Sequence, residues 1–304
     1  MARDYTDEPE RSPAALARRL AARPFVLDGA TGTELERRGL ACTLPLWSTQ
    51  ALLEAPNLLE HVHSDYARAG VDCLTAATFR TQRHVLRRAG LGGRASELTG
   101  RALSLARAAA REGREIWVAG SSPPLEDCYR PDLTPDDSTL EREHAHHCEA
   151  LAEGGAELIL VETMGTVREA RAATAAAVAT GLPVVTSFIG DERGSRLLSG
   201  EPLEAAVEAV SPFSPVALAV NCIPTSRVEV CWRALEASGS PFGIYPNLGM
   251  PGATPQQAYS EECTPGAFAE RALRWVEAGA SIVGGCCGTR PDHLRAVCHA
   301  LRKR

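Results

Sequence analysis

The chain's strongest constraint is a rhythm. Short apolar runs alternate with longer Ala-, Leu- and Arg-rich stretches of helical periodicity, and the pairing recurs along the whole chain. Strands are expected at residues 25–27, 71–76, 116–119, 158–162, 184–188, 216–221, 242–245 and 281–284. Helices are expected at 33–38, 56–69, 95–111, 139–153, 167–179, 203–210, 227–238 and 266–278, with a last one over 291–301. Gly70, Gly113, Gly154, Gly181 and Gly279 each follow a helical stretch, where a left-handed C-cap suits glycine. Pro183, Pro215 and Pro241 stand at or just before strand starts, where a missing N–H does little harm, and Pro291 opens the last helix. Parallel strands are the ones that need a helix-length crossover between them. Eight such units without a linker predict one closed (β/α)8 TIM barrel over residues 24–304 of the 304, with an open doubly wound sheet as the runner-up. Residues 1–23 form a lead-in, partly disordered, that ends in a helix over 13–22. The Pro-rich stretch 121–137 is expected to lie over the barrel top as a loop, and a lid role follows from its length.

Composition removes several function classes. Net charge is −6, no stripe of Lys and Arg stands out, and aromatics are 5% of residues, which argues against nucleic acid as a partner. No run of about 18 apolar residues marks a membrane span. The mixed acidic and basic N-terminus lacks the apolar core of a secretory signal, so a cytoplasmic protein with reduced thiols is expected. The sequence sets no subunit number.

In a barrel the chemistry gathers at the C-terminal ends of the strands. Those ends read Asp28-Gly29, Glu162-Thr163, Asn221-Cys222, Pro246-Asn247 and Gly284-Gly285-Cys286-Cys287-Gly288. Adjacent cysteines in a strand would point to opposite faces, but flanking glycines let the backbone turn both sulfurs to one point. With Cys222 they offer three thiolates and leave a fourth position open, the pattern of a catalytic zinc. The plainer alternatives are a packed Cys-Cys pair or a vicinal disulfide. The turn from Asp28 to Gly32 lacks the third Gly of a dinucleotide fingerprint and the Lys of a P-loop. His144, His146 and His147 with Cys148 form a second possible metal cluster, read as a solvated or half-buried helix surface. Cys42, Cys73, Cys128, Cys231, Cys263 and Cys298 are read, with Cys148, as packing residues.

At these strand ends the sequence resembles the homocysteine S-methyltransferase family, the zinc-dependent group that uses betaine, S-methylmethionine or methylfolate as methyl donor. The resemblance rests on Leu27-Asp28-Gly29-Ala30-Thr31-Gly32-Thr33-Glu34, Val161-Glu162-Thr163, Val220-Asn221-Cys222, Tyr245-Pro246-Asn247 and Gly284-Gly285-Cys286-Cys287-Gly288-Thr289. It implies zinc (Zn2+) held by Cys222, Cys286 and Cys287. It also implies that Asp28 and Glu162 hold the amino group of homocysteine, that backbone N–H groups near Gly29 receive its carboxylate, and that Asn221 and Asn247 support the site. Trp47 and Phe79 are candidates to flank a cationic donor, with packing the preferred role for Phe79. The expected reaction moves a methyl group from a small donor to the thiolate of L-homocysteine, giving methionine. S-methylmethionine or S-adenosylmethionine is the preferred donor and betaine the next. A related thiol or selenol acceptor, or a zinc hydrolase, are the alternatives. The sequence departs from the family after the second strand, where Ala76-Ala77-Thr78-Phe79-Arg80 replaces a polar Thr-Asn-Thr-Tyr-like segment. It departs again after the third, where Ser121-Ser122-Pro123-Pro124-Leu125 replaces Gly-Pro-Tyr-Gly. Both segments face the donor side.

Overall fold

The computed structural model describes residues 11–111, 115–191, 194–249 and 263–303. The expected Gly113 cap and residues 1–10 of the lead-in lie outside them. The strands are β1 (Phe25–Val26), β2 (Cys73–Ala76), β3 (Trp117–Ser122), β4 (Leu158–Met164), β5 (Val184–Phe188), β6 (Ala217–Pro224), β7 (Phe242–Asn247) and β8 (Ile282–Val283). They form one parallel sheet in the order β1-β8-β7-β6-β5-β4-β3-β2. A parallel bridge from Leu27 to Cys73 joins the two edges, so the sheet is a nearly closed (β/α)8 barrel. Two aspartates finish that seam. Asp72 accepts from the Val26 N–H at 3.0 Å, and Asp28 accepts from the Thr75 N–H at 2.8 Å.

The period of two decides which side chains fill the barrel. Phe25, Leu27, Cys73, Trp117, Ala119, Leu158 and Leu160 belong to the interior cluster. Their neighbours Val26, Leu74, Val118, Ile159 and Val161 pack in the other cluster, beneath the helices. The helices are α1 (Pro13–Ala22), α2 (Gly32–Arg37), α3 (Gln50–Glu54), α4 (Pro56–Ala69), α5 (Arg83–Arg88), α6 (Ala95–Ala110), α7 (Asp137–Glu153), α8 (Val167–Ala179), α9 (Leu203–Val210), α10 (Val228–Ala237), α11 (Pro265–Glu277) and α12 (Pro291–Arg302). Ser12 caps α1, with Pro13 in its first turn. Leu16 and Leu20 of α1 join the interior cluster, so this helix plugs the N-terminal end of the barrel. Burying two leucines there stabilises the fold by about 3–6 kcal/mol. Arg19 and Arg23 tie the plug to Asp72 at 2.9 and 3.0 Å.

Four strands run further than the sequence pattern suggests. β3, β4, β6 and β7 continue to Ser122, Met164, Pro224 and Asn247. Their last residues are polar, yet they still pair, because the top layer of the barrel interior is itself polar. The expected loop 121–137 therefore starts two residues late, holds a 3-10 turn at Pro131–Leu133, and yields Asp137 to α7. Helices α3 and α5 are too short to show a period and were not expected. After α7 the left-handed residue is Gly155 (φ 83°), not Gly154, which keeps φ −69°. Among the described residues no helix is long and apolar enough to cross a membrane.

Candidate metal and active site

A cavity of about 310 Å3 opens at the C-terminal ends of the strands. Cys222 near the end of β6 meets Cys286 and Cys287, which follow β8. The three Sγ atoms lie within 4.8 Å of one another, and those of Cys222 and Cys286 are 2.8 Å apart. Among the described residues this is the one group of three or more such side chains close enough to share a metal ion. Two thiolates on one tetrahedral zinc sit roughly 3.8 Å apart, given Zn–S bonds of about 2.3 Å, so the three sulfurs suit that ion once the Cys222–Cys286 pair opens by about 1 Å. The Cys222 thiol is held well above its ordinary pKa, first by the proton it shares with Cys286, then by Cys287 and by burial. A cation among the three would reverse that preference.

Backbone strain aims these groups. In a regular pleat Asn221 faces the barrel interior and Cys222 faces the helices. The β6 register shifts between Asn221 and Pro224, and Cys222 takes φ 55°. The same device recurs on β4, where the register shifts between Val161 and Met164 and Thr163 takes φ 64°. Left-handed backbone outside glycine costs on the order of 1–3 kcal/mol and persists only where the surroundings hold it. Asn221 supplies that hold. Its Oδ1 accepts from the Thr163 N–H at 3.0 Å and the Ser187 hydroxyl at 2.7 Å, while its Nδ2 donates to Thr163 Oγ1 at 2.9 Å. Asn247 Nδ2 donates to the Cys222 carbonyl at 3.1 Å. Both asparagines are fully buried and lie outside the cavity wall, so they serve the two strained turns.

The Cys286-Cys287 turn is pinned on three sides. Cys286 N–H donates to the Pro246 carbonyl at 2.9 Å, Leu248 N–H to the Cys287 carbonyl at 3.0 Å, and Gly288 N–H to Thr33 Oγ1 at 3.0 Å. Thr289 Oγ1 donates to the Cys286 carbonyl at 2.7 Å and accepts from the Ala30 N–H at 3.2 Å. This hydroxyl explains two glycines. A Cβ on Gly285 would lie 2.3 Å from it, and one on Gly29 2.6 Å.

Two carboxylates face the thiols. Both oxygens of Asp28 accept from Thr75, from its N–H and its hydroxyl, at 2.8 Å each. Burial still pushes the Asp28 carboxyl up to about 7, against those hydrogen bonds. Glu162 accepts from the Ser121 hydroxyl, and burial raises it to about 7 as well. Two buried acids that resist losing their protons favour a cationic guest, whose charge brings them back to the ionised form. Gly29, Trp47 and Phe79 line the same cavity, so Phe79 is not only a packing residue. The wall also contains Thr75, Ser121, Tyr245 and Arg80, to which the sequence assigned no individual role. Ser121 had a legible signal, since it falls two residues beyond the interior Ala119 of its strand.

The histidine cluster is not a solvated surface. His144, His147 and Cys148 are buried between α7 and its neighbours, and His146 is half-buried. His147 Nε2 lies 3.0 Å from the Ser121 carbonyl, where it donates, and His144 Nε2 lies 3.4 Å from Glu169. The face they share packs on the barrel, which a pattern of histidines alone does not reveal. The other cysteines outside the thiol triad are buried, as packing residues are, but Cys128 also lines the cavity.

The sequence profile of the homocysteine S-methyltransferase family matches residues 25–301. The chain belongs to this family. Its relatives include a homocysteine S-methyltransferase of Escherichia coli, 32% identical over 90% of this chain and 94% of that one. The homocysteine S-methyltransferase YbgG of Bacillus subtilis is 29% identical over 90% and 93%. Among solved structures, the metallated form of the Escherichia coli homocysteine methyltransferase MmuM superposes with a TM-score of 0.78 at 30% identity, covering 90% of this chain and 95% of that one.

Proposed function

We propose that this protein transfers a methyl group from a small cationic donor to the thiol of L-homocysteine, with zinc held by Cys222, Cys286 and Cys287. The observation that carries the reading is the convergence of three thiols beside two buried carboxylates in one cavity. Family membership and the metallated relative support it. When bound, zinc supplies a position at which a thiol loses its proton near neutral pH.

The chain's own residues do the rest. Asp28 and Glu162 receive the acceptor's ammonium group and fix the thiol end toward the cysteines. Ser121 and Thr75 keep the two carboxylates aimed into the cavity. Trp47 and Phe79 stand in the cavity wall as π faces for a donor cation. A sulfonium donor departs as a neutral thioether, so the leaving group needs no strong acid. S-methylmethionine or S-adenosylmethionine is the preferred donor and betaine the next.

The test is methionine formation from homocysteine with S-methylmethionine, S-adenosylmethionine, betaine and methyltetrahydrofolate offered in parallel, beside elemental analysis of the same protein. Zinc at about one per chain with turnover on a sulfonium donor is the expected result. No turnover on any of the four by zinc-loaded protein overturns the reading.

A further inference from the structure

Among the described residues the cavity wall carries three carboxylates, from Asp28, Asp127 and Glu162, and a single cationic side chain, Arg80. Arg80 sits in the turn after β2 and is 6% exposed. A buried guanidinium normally has a carboxylate partner, because an unpaired charge is costly to bury. Among the described residues Arg80 has none within ion-pairing distance. Its Nη1 donates to the Glu126 main-chain carbonyl at 3.0 Å, and its Nε is buried without a hydrogen-bond partner. The Glu126 carboxylate is already taken, by His84 at 2.8 Å and by Arg88. Asp127 Oδ1 accepts from the Tyr129 N–H at 3.0 Å.

The turn that presents Arg80 is rigid. Thr78 Oγ1 donates to the Ser121 carbonyl at 3.0 Å, and Gln82 Nε2 donates to the carbonyls of Pro123 and Pro124 at 2.7 and 3.2 Å. Thr99 donates to Thr81 at 2.8 Å behind it. The guanidinium carbon lies 5.5 Å from the centre of the Phe79 ring, which also lines the cavity. A preorganised guanidinium, buried and short of an anion, is a carboxylate receptor.

We propose that Arg80 is the anion subsite for the methyl donor and selects donors that carry a carboxylate. The inference rests on the methyl-transfer reading above. The donor cation then lies toward the aromatic rings while its carboxylate meets Arg80. The acceptor's ammonium and thiol are already accounted for by Asp28, Glu162 and the cysteines.

The experiment compares the sulfonium donor that the wild type uses, S-methylmethionine or S-adenosylmethionine, with its carboxamide, in wild type, Arg80→Gln and Arg80→Lys. In the wild type the carboxamide should show a KM about 10- to 100-fold above that of the acid, the scale of a charged hydrogen bond. Arg80→Gln should raise the KM of the acid by a similar factor and bring acid and amide to within about twofold of each other, as a double-mutant cycle on one contact requires. Arg80→Lys should keep part of the discrimination, and the KM for homocysteine should stay put in all three. The wild-type acid/amide comparison needs no variant to fold. Equal KM values there overturn the proposal, as does discrimination that survives Arg80→Gln or a shift in the homocysteine KM in place of the donor KM. If wild type turns over no donor, the methyl-transfer reading falls, and this subsite falls with it. If wild type turns over but the discrimination fails, only the subsite falls.

Discussion

The two walls of the cavity are built differently. On the acceptor wall, Glu162 and Cys222 stand on the barrel strands, with Asp28 directly after β1 and Cys286 and Cys287 within four residues of β8. Each is pinned by the sheet, by a strained residue, or by a buried asparagine. On the donor wall, Trp47, Phe79, Arg80, Cys128 and Tyr129 come from turns and loops that cross-brace one another. The contrast follows from the tasks. A metal and a small thiol need sulfurs and carboxylates placed to a few tenths of an ångström, which rigid strand ends provide. Donor choice needs shape and charge that can change without moving the barrel, which loops permit. Of the two segments that depart from the family pattern, the first supplies Phe79 and Arg80 to the donor wall, and the second supplies Ser121, which holds Glu162.

If that division is right, damage to the acceptor wall should be far costlier. Cys286→Ser should reduce methionine formation by roughly three orders of magnitude or more, with zinc content falling in parallel by elemental analysis. Full activity without metal would erase the distinction between the walls. Glu162→Gln should lower kcat/KM for homocysteine about 100-fold, the scale of an unpaired buried charge. The same variant should matter far less for 4-mercaptobutyrate, an acceptor thiol without the amino group. Equal losses with both thiols would remove the ammonium from Glu162.

A pH-dependent effect separates the site's function from its stability. Asp28 is held near 7 in the folded protein against an ordinary value of 3.8, so the folded state binds the extra proton between those limits. Wild-type stability from this group is therefore present below about pH 4 and lost as pH rises through about 7. Asp28→Asn lacks this loss. Its stability relative to wild type should climb over that window by up to about 4 kcal/mol, read by denaturant titration at several pH values. A flat difference would mean that Asp28 is ionised at ordinary cost. On the donor wall, Trp47→Phe should raise the donor KM only about two- to fivefold, because it keeps a ring and weakens one cation–π contact. A hundredfold change would put Trp47 with the acceptor machinery and blur the comparison.

Much of this was legible before folding. The alternation of apolar runs and helical stretches specifies the barrel, because each local period already states which face must be buried. Asp28, Glu162, Cys222, Cys286 and Cys287 stand out because polar or sulfur-bearing residues end apolar strands. The tertiary structure alone decided the rest. Asn221 was expected to support the site, but only the fold shows what it braces, Thr163 and Ser187 on two neighbouring strands. His144 and His147 looked like helix surface until packing against the barrel buried them. Arg80 was placed on the donor side only as part of its segment, with no role of its own. Its meaning lies in what surrounds it, since a guanidinium becomes a receptor only when the fold has buried it, braced it, and given its acidic neighbour Glu126 to His84 and Arg88. Periodicity is a local property of a chain, whereas the absence of a counter-charge belongs to the assembled whole.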